Sequence, residues 1–172
     1  MNKESLNLVE IKFEDLVSEY KERMYWHIRR MVISHEDADD VLQNTFIKVF
    51  KNLDKFNGDS QIYTWLYRIA TNESLTFIKK RQRTTHLSNE DFQESLISNL
   101  TSDPYFNGDD AQLKLQQAID TLPAKQKQVF IMKYYDELQY NEISEILGTS
   151  EGALKASYHH AVKKITDHVT GN

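Results

Sequence analysis

The sequence predicts an all-α chain of two small helical domains joined by a flexible linker, the C-terminal domain holding a helix-turn-helix. Three observations predict it. Among 172 residues there are only 2 prolines and 5 glycines, too few for the many turns of an all-β fold. Apolar residues recur at helical rather than alternating spacing over most of the chain. A polar tract poor in periodicity separates two such regions near residues 84–110.

The first element runs over about 12–33, where Phe13, Leu16, Val17, Tyr20, Met24, Ile28 and Met31 fall at helical intervals between charged positions. Ser34 and Asp37 offer capping side chains to a second helix. Its run ADDVLQNTFIKVFKNL (38–53) places Val41, Leu42, Thr45, Phe46, Val49, Phe50 and Leu53 on one face, and Asp39, Asp40, Gln43, Asn44 and Lys48 on the other. Asn57-Gly58-Asp59-Ser60 is a turn with an N-cap. A third helix over about 61–81 is expected to bury Ile62, Trp65, Leu66 and Ile69. Residues 1–83 thus form one helical bundle.

Residues 84–110 are rich in Ser, Thr, Asn and Asp, contain Pro104 and Gly108, and read as a linker that is flexible or only locally structured. The second domain occupies 111–172. Leu113, Leu115, Ala118, Ile119 and Leu122 make a helix that Pro123 closes, and Val129, Phe130, Met132 and Tyr134 lie on another. LQYNEISEILG, a turn at Gly148-Thr149-Ser150, and EGALKASYHHAVKKI follow. A short helix, a tight turn with glycine and a longer helix make a helix-turn-helix, a pattern of moderate specificity. Leu154, Tyr158, Ala161 and Ile165 are its buried stripe. The opposite face presents Glu151, Gly152, Lys155, Ala156, His159 and Lys163, in the helix whose N-terminal part contacts bases in this motif.

Net charge is −5, unpromising for a nucleic-acid binder until its distribution is read. Residues 62–83 carry a net charge of +4, through Arg68, Lys79, Lys80, Arg81 and Arg83 against Glu73; residues 84–124 carry −6. With no cysteine there is neither a disulfide framework nor a thiolate metal site. His159 and His160 point about 100° apart on a helix and suit no shared metal ion. No glycine-rich phosphate loop or nucleophile motif occurs, so neither an enzyme, a cofactor nor a small-molecule substrate is expected. The N-terminus lacks a signal-peptide pattern, and no apolar run approaches the roughly 18 residues of a membrane span. The reading is a soluble, cytoplasmic protein without membrane insertion.

DADDVLQNTFIKVF (37–50) and FNGDSQIYTWLYRIATNESLTFIKKRQR (56–83) resemble the second conserved region of extracytoplasmic-function (ECF) RNA polymerase sigma factors, of the sigma-70 family. DTLPAKQKQVFIMKYYDELQYNEISEILGTSEGALKASYHHAVKKI (120–165) resembles their fourth. The order, spacing and length match across nearly the whole chain apart from the linker and ends.

The resemblance implies a bacterial protein that binds core RNA polymerase and promoter DNA, with an inhibitory anti-sigma factor as a further partner. It assigns polymerase binding to Asp39, Asp40, Gln43, Asn44 and Lys48. It assigns recognition and melting of the minus-ten element to Phe56, Asn57, Gly58, Asp59, Ser60, Gln61, Tyr63, Tyr67, Asn72, Lys79, Lys80 and Arg81. These supply a polar loop for a flipped base, aromatic surface and a basic track. Arg68 reads equally as a phosphate contact or a structural partner. The minus-thirty-five element falls to Ser150, Glu151, Gly152, Lys155, Ala156, His159 and Lys163. One departure is that Ser157 stands where family members commonly carry arginine, so this helix is less basic than usual. Two other readings are a helix-turn-helix regulator acting without polymerase, and a sigma mimic that binds partners without opening promoters.

Overall fold

A computed structural model of the protein describes residues 11–32, 34–85 and 108–172, together with Ser88, Asp91, Glu94 and Ser98. Most of the expected linker therefore lies outside the described residues. Within it, Asp91, Glu94 and Ser98 are helical, and the Ser88 hydroxyl accepts a hydrogen bond from the Asp91 amide at 3.1 Å.

Helix α1 (Phe13–Val32) carries Glu14 and Asp15 in its first turn and Arg29 and Arg30 in its last, matching the helix dipole at both ends. Helix α2 (His35–Asn52) starts at the N-cap Ser34, whose hydroxyl accepts from the Asp37 amide. It buries Ala38, Val41, Leu42, Thr45, Phe46 and Val49, a stripe at three- and four-residue spacing. The Thr45 hydroxyl is satisfied within the helix, donating to the Val41 carbonyl at 2.8 Å. A 3-10 turn, Leu53–Lys55, ends this arm.

Helix α3 (Ile62–Thr85) crosses α1 and α2, burying Thr64, Leu66, Tyr67, Ala70, Thr71 and Ser74. Small residues at 70, 71 and 74 allow close helix approach. Each large apolar side chain buried here contributes roughly 1.5–3 kcal/mol. Trp65 and Ile69, expected in the core, are only half-buried against it. Phe50 also departs from expectation. It is 65% exposed near the end of α2, where the ring of Phe13 meets it edge-on at 5.1 Å.

The C-terminal half comprises α4 (Asp110–Asp120), α5 (Ala124–Phe130), α6 (Tyr140–Leu147) and α7 (Glu151–Thr170). Asp109 caps α4 by accepting from the Gln112 amide at 2.9 Å. Lys127 on α5 donates to the buried Asp120 carboxylate at 2.6 Å and ties the α4–α5 turn. Helix α5 widens into a π turn, Ile131–Tyr135, in which the Asp136 amide donates to the Ile131 carbonyl at 3.1 Å. Ala118, Ile119, Leu122, Phe130, Ala161 and Ile165 form a local core. Val129, Ile131, Met132, Leu138, Ile143, Ile146 and Leu154 belong instead to one apolar cluster with α1–α3. The two domains are packed together, with α3 against α6 and α1 against the π turn. Among the described residues there is no β-strand, and no helix is long and apolar enough to cross a membrane.

Candidate polymerase and nucleic-acid interfaces

The polar face of α2 stands clear of the bundle: Asp39, Asp40, Gln43, Asn44 and Lys48 are all exposed. Two of them are tethered. His35 Nε2 lies 3.2 Å from Asp39, and Lys48 pairs with Glu73 of α3. Ile47, 45% exposed, and Phe50 continue the same face. A mixed polar and apolar helix face of this kind is what protein interfaces use. The periodicity of the sequence had assigned Phe50 to the core, so this apolar end of the face was missed.

Helix α3 lays its basic end beside that face. Lys79, Lys80 and Arg83 are exposed, while Arg81 pairs with Asp37 at the start of α2. Asp37, Asp40, Gln43, Asn44, Phe77, Lys80 and Arg81 line one trough of about 530 Å³. Residues assigned to polymerase and to DNA thus converge on a single groove. Burial pushes the Asp37 carboxyl above its ordinary value, and this outweighs the opposing pull of Arg81.

The loop before α3 is held by its own side chains. Asn57 Nδ2 donates to Asp59 at 2.6 Å, and the Asp59 amide returns a bond to Asn57. Gly58 takes a left-handed φ of 80°, which closes the turn. Phe56 packs its ring 5.2 Å from Trp65. Gln61 is exposed and Ser60 half-exposed; Asn72 on α3 is exposed.

The two tyrosines differ from the expectation of free aromatic surface. Tyr67 is fully buried, and Arg23 Nε donates to its hydroxyl at 2.8 Å. Burial, with the Asp136 carboxylate behind it, drives this phenol well above the usual tyrosine range. Tyr63 is half-buried and donates its hydroxyl to Glu142 of α6. Arg68, which read two ways, donates to the Glu145 carbonyl at 2.7 Å.

In the helix-turn-helix, α6 carries a capping box between Gln139 and Glu142 and ends at Gly148 with φ 63°. That left-handed C-cap is the position glycine fills at least cost. Ser150 caps α7, accepting from the Ala153 amide at 3.3 Å. Leu154, Ala161 and Ile165 are buried and Tyr158 half-buried, its ring stacked 5.9 Å from Phe130. Glu151, Gly152, Lys155, Ala156, His159 and Lys163 are all exposed. No atom lies within 4 Å of a Cβ built on Gly152, so the N-terminal turn of α7 is open to a close-approaching surface. Lys155 Nζ sits 5.6 Å from the Tyr140 ring centroid, a cation–π contact. Tyr140 was not singled out by the sequence.

The bundle carries the basic edge of α3 beside the polar face of α2, and the helix-turn-helix presents the N-terminal turn of α7 outward; together they define a DNA-binding protein of two helical domains. Residues 16–84 match the family description Sigma-70 region 2, and residues 112–165 match Sigma-70, region 4. The ECF RNA polymerase sigma factor SigW of Bacillus subtilis is 34% identical over 155 residues, covering 86% of this chain and 83% of that protein. The ECF RNA polymerase sigma-E factor of Escherichia coli is 29% identical over 165 residues, with 91% and 86% covered. In fold, the chain is similar to the sigma factor RpoE of Bartonella quintana, solved with the anti-sigma factor NepR. The TM-score is 0.72 at 19% identity, covering 92% of this chain and 96% of that one. It is also similar to CnrH in complex with the cytosolic domain of CnrY, with a TM-score of 0.68 at 20% identity, covering 93% and 88%. The chain belongs to the ECF group of the sigma-70 family: it is a promoter-recognising sigma factor of RNA polymerase.

Proposed function

We propose that residues 1–83 dock core polymerase and handle the minus-ten element, that 84–110 connect, and that 111–172 read the minus-thirty-five element. The α2 face, from Asp39 to Lys48, meets the polymerase; its acids suit a basic partner surface. Lys79, Lys80 and Arg81 track phosphates of the opened strand, and the 56–61 loop with Asn72 holds unpaired bases. Helix α7 enters the major groove with Ser150 and its free N–H groups at the phosphate backbone and Lys155 toward bases. The protein contributes binding and no covalent chemistry of its own, and acts in the cytoplasm. The sigma factors solved with NepR and CnrY support an anti-sigma factor as a further partner here.

The observation that carries this reading is the trough where Asp40, Gln43 and Asn44 meet Lys80 and Arg81. It couples polymerase docking to strand capture on one surface. In vitro transcription with bacterial core polymerase over a promoter library tests it. Specific run-off products are expected, lost on Asp40→Lys through failed polymerase binding and on Lys80→Glu through failed opening. Stable polymerase binding with no product from any promoter would favour the mimic, and no polymerase binding would refute the assignment.

A further inference from the structure

The polar face of α2 is tied to α1 through one of its acids. The Asp39 side chain is 56% exposed, yet its Oδ2 lies 3.2 Å from Nε2 of His35, one turn earlier on the same helix. The other ring nitrogen of His35, Nδ1, lies 2.5 Å from the Tyr25 hydroxyl on α1. The Tyr25 ring also meets the imidazole edge-on, with centroids 5.8 Å apart, and is itself half-buried against the core of the bundle. The proton positions follow from the chemistry of the three groups. A carboxylate only accepts, so Nε2 carries the hydrogen and donates to Asp39. In the neutral imidazole Nδ1 is then the acceptor, and the Tyr25 hydroxyl donates to it.

We propose that Tyr25 and His35 are positioning residues for polymerase docking: they set the Asp39 carboxylate in the orientation in which it meets the polymerase. The proposal rests on the assignment of Asp39 to that interface. An untethered aspartate on an exposed helix face samples several rotamers, and a partner that immobilises it bears an entropic cost. Here one rotamer is set beforehand. The tether engages one oxygen, Oδ2. The carboxylate has further acceptor sites on Oδ1, so the acid is oriented without being capped. Tyr25 matters because it selects the tautomer. With Nδ1 accepting, the hydrogen stays on Nε2 and faces Asp39. Without the hydroxyl, the ring populates both tautomers, and one of them turns a lone pair toward the carboxylate. His35 thus carries the rigidity of the α1–α2 packing out to a group on the exposed face.

Two measurements on the full-length chain test this. Heteronuclear NMR of the histidine rings at mildly alkaline pH should show His35 in the Nε2–H form, and a mixture of tautomers in Tyr25→Phe. Affinity for core polymerase, by fluorescence anisotropy of the labelled protein, should fall about threefold in Tyr25→Phe and in His35→Ala, with helix content unchanged by circular dichroism. His35→Gln places its amide nitrogen near the Nε2 position and should restore most of the affinity. His35→Asn places its amide near Nδ1 instead and should not. In an Asp39→Ala background, neither Tyr25→Phe nor His35→Ala should weaken binding further. Mixed tautomers in the parent, full affinity in His35→Ala, equal affinities for the Gln and Asn variants, or an added loss in the Asp39→Ala background each overturn the positioning role. If Asp39→Ala alone still weakens binding, the docking face then stands without it. An Asp39→Ala variant of full affinity instead takes Asp39 out of the interface, and the role of Tyr25 and His35 goes with it.

Discussion

Replacing Lys127 by methionine removes the cation from the buried Asp120 carboxylate while keeping much of the side chain's bulk. Asp120 has a 1% exposed side chain, and Lys127 a 16% exposed one, at 2.6 Å. After the substitution the carboxylate keeps, among the described residues, the Gln116 amide at 3.2 and 3.3 Å. Stranding one partner of a buried pair costs about 3–5 kcal/mol. The lower end applies, because Gln116 stays and Lys127 retains some contact with water. For a chain of this size, about 3 kcal/mol corresponds to a fall in Tm of roughly 6–12 °C. Thermal unfolding at neutral pH followed by circular dichroism measures it. The double variant Asp120→Asn with Lys127→Met removes the stranded charge and should recover a substantial part of the loss. A fall of less than about 2 °C for the single variant, or a double variant no more stable than the single, would refute the reasoning.

Gly148→Ala should destabilise by about 1 kcal/mol, read as a shift in the urea midpoint. No atom lies within 4 Å of the added Cβ, so backbone strain at φ 63° is the whole cost; an unchanged midpoint would count against the left-handed cap. The Asp37 carboxyl should titrate by NMR above the ordinary aspartate value, and higher still in Arg81→Ala, since Arg81 opposes the rise. Because the folded state then holds this proton more tightly than the unfolded chain, the Asp37 contribution to stability falls as pH rises from the ordinary carboxylate value through the raised one. A midpoint at or below the ordinary value would contradict the dominance of burial. Lys155→Ala should weaken holoenzyme binding to minus-thirty-five duplexes about tenfold and reduce the salt dependence by about one counterion. Unaltered affinity and slope, measured by fluorescence anisotropy, would remove Lys155 from the interface.

Local patterns in the sequence disclosed the elements and one side of each. Val41, Leu42, Phe46 and Val49 face inward and Asp40, Gln43 and Asn44 outward because α2 is buried along one stripe, the case helical periodicity describes. The turn at Gly148 and the cap at Ser150 were legible for the same reason: each is specified within four residues. Helix α3 was harder, since it is covered both by α1 and by α6. Its buried arc widens to take in Tyr67 beside Leu66, while Trp65 turns toward Phe56. Phe50 misled because helix ends outrun their cover. The run VFIMKYYDEL gave no sign of a π turn, and the Asp136 carboxylate at its end accepts a hydrogen bond at 2.6 Å from His27, 109 positions away in the chain. Nothing local in His27 or Asp136 announces the other.

The π turn gives segment length a meaning that side-chain chemistry alone does not. A single widened turn commonly marks one residue more than an α-helix needs. Deleting one residue between Ile131 and Tyr135 would let the helix run on regularly and swing everything after it by about 100° about its axis. Asp136 would then leave His27, and α6 would leave Tyr63 and Arg68, with every one of those side chains still present. The domain seam thus depends on phase as well as composition, and a change of register can unfasten it where no contact residue has been altered.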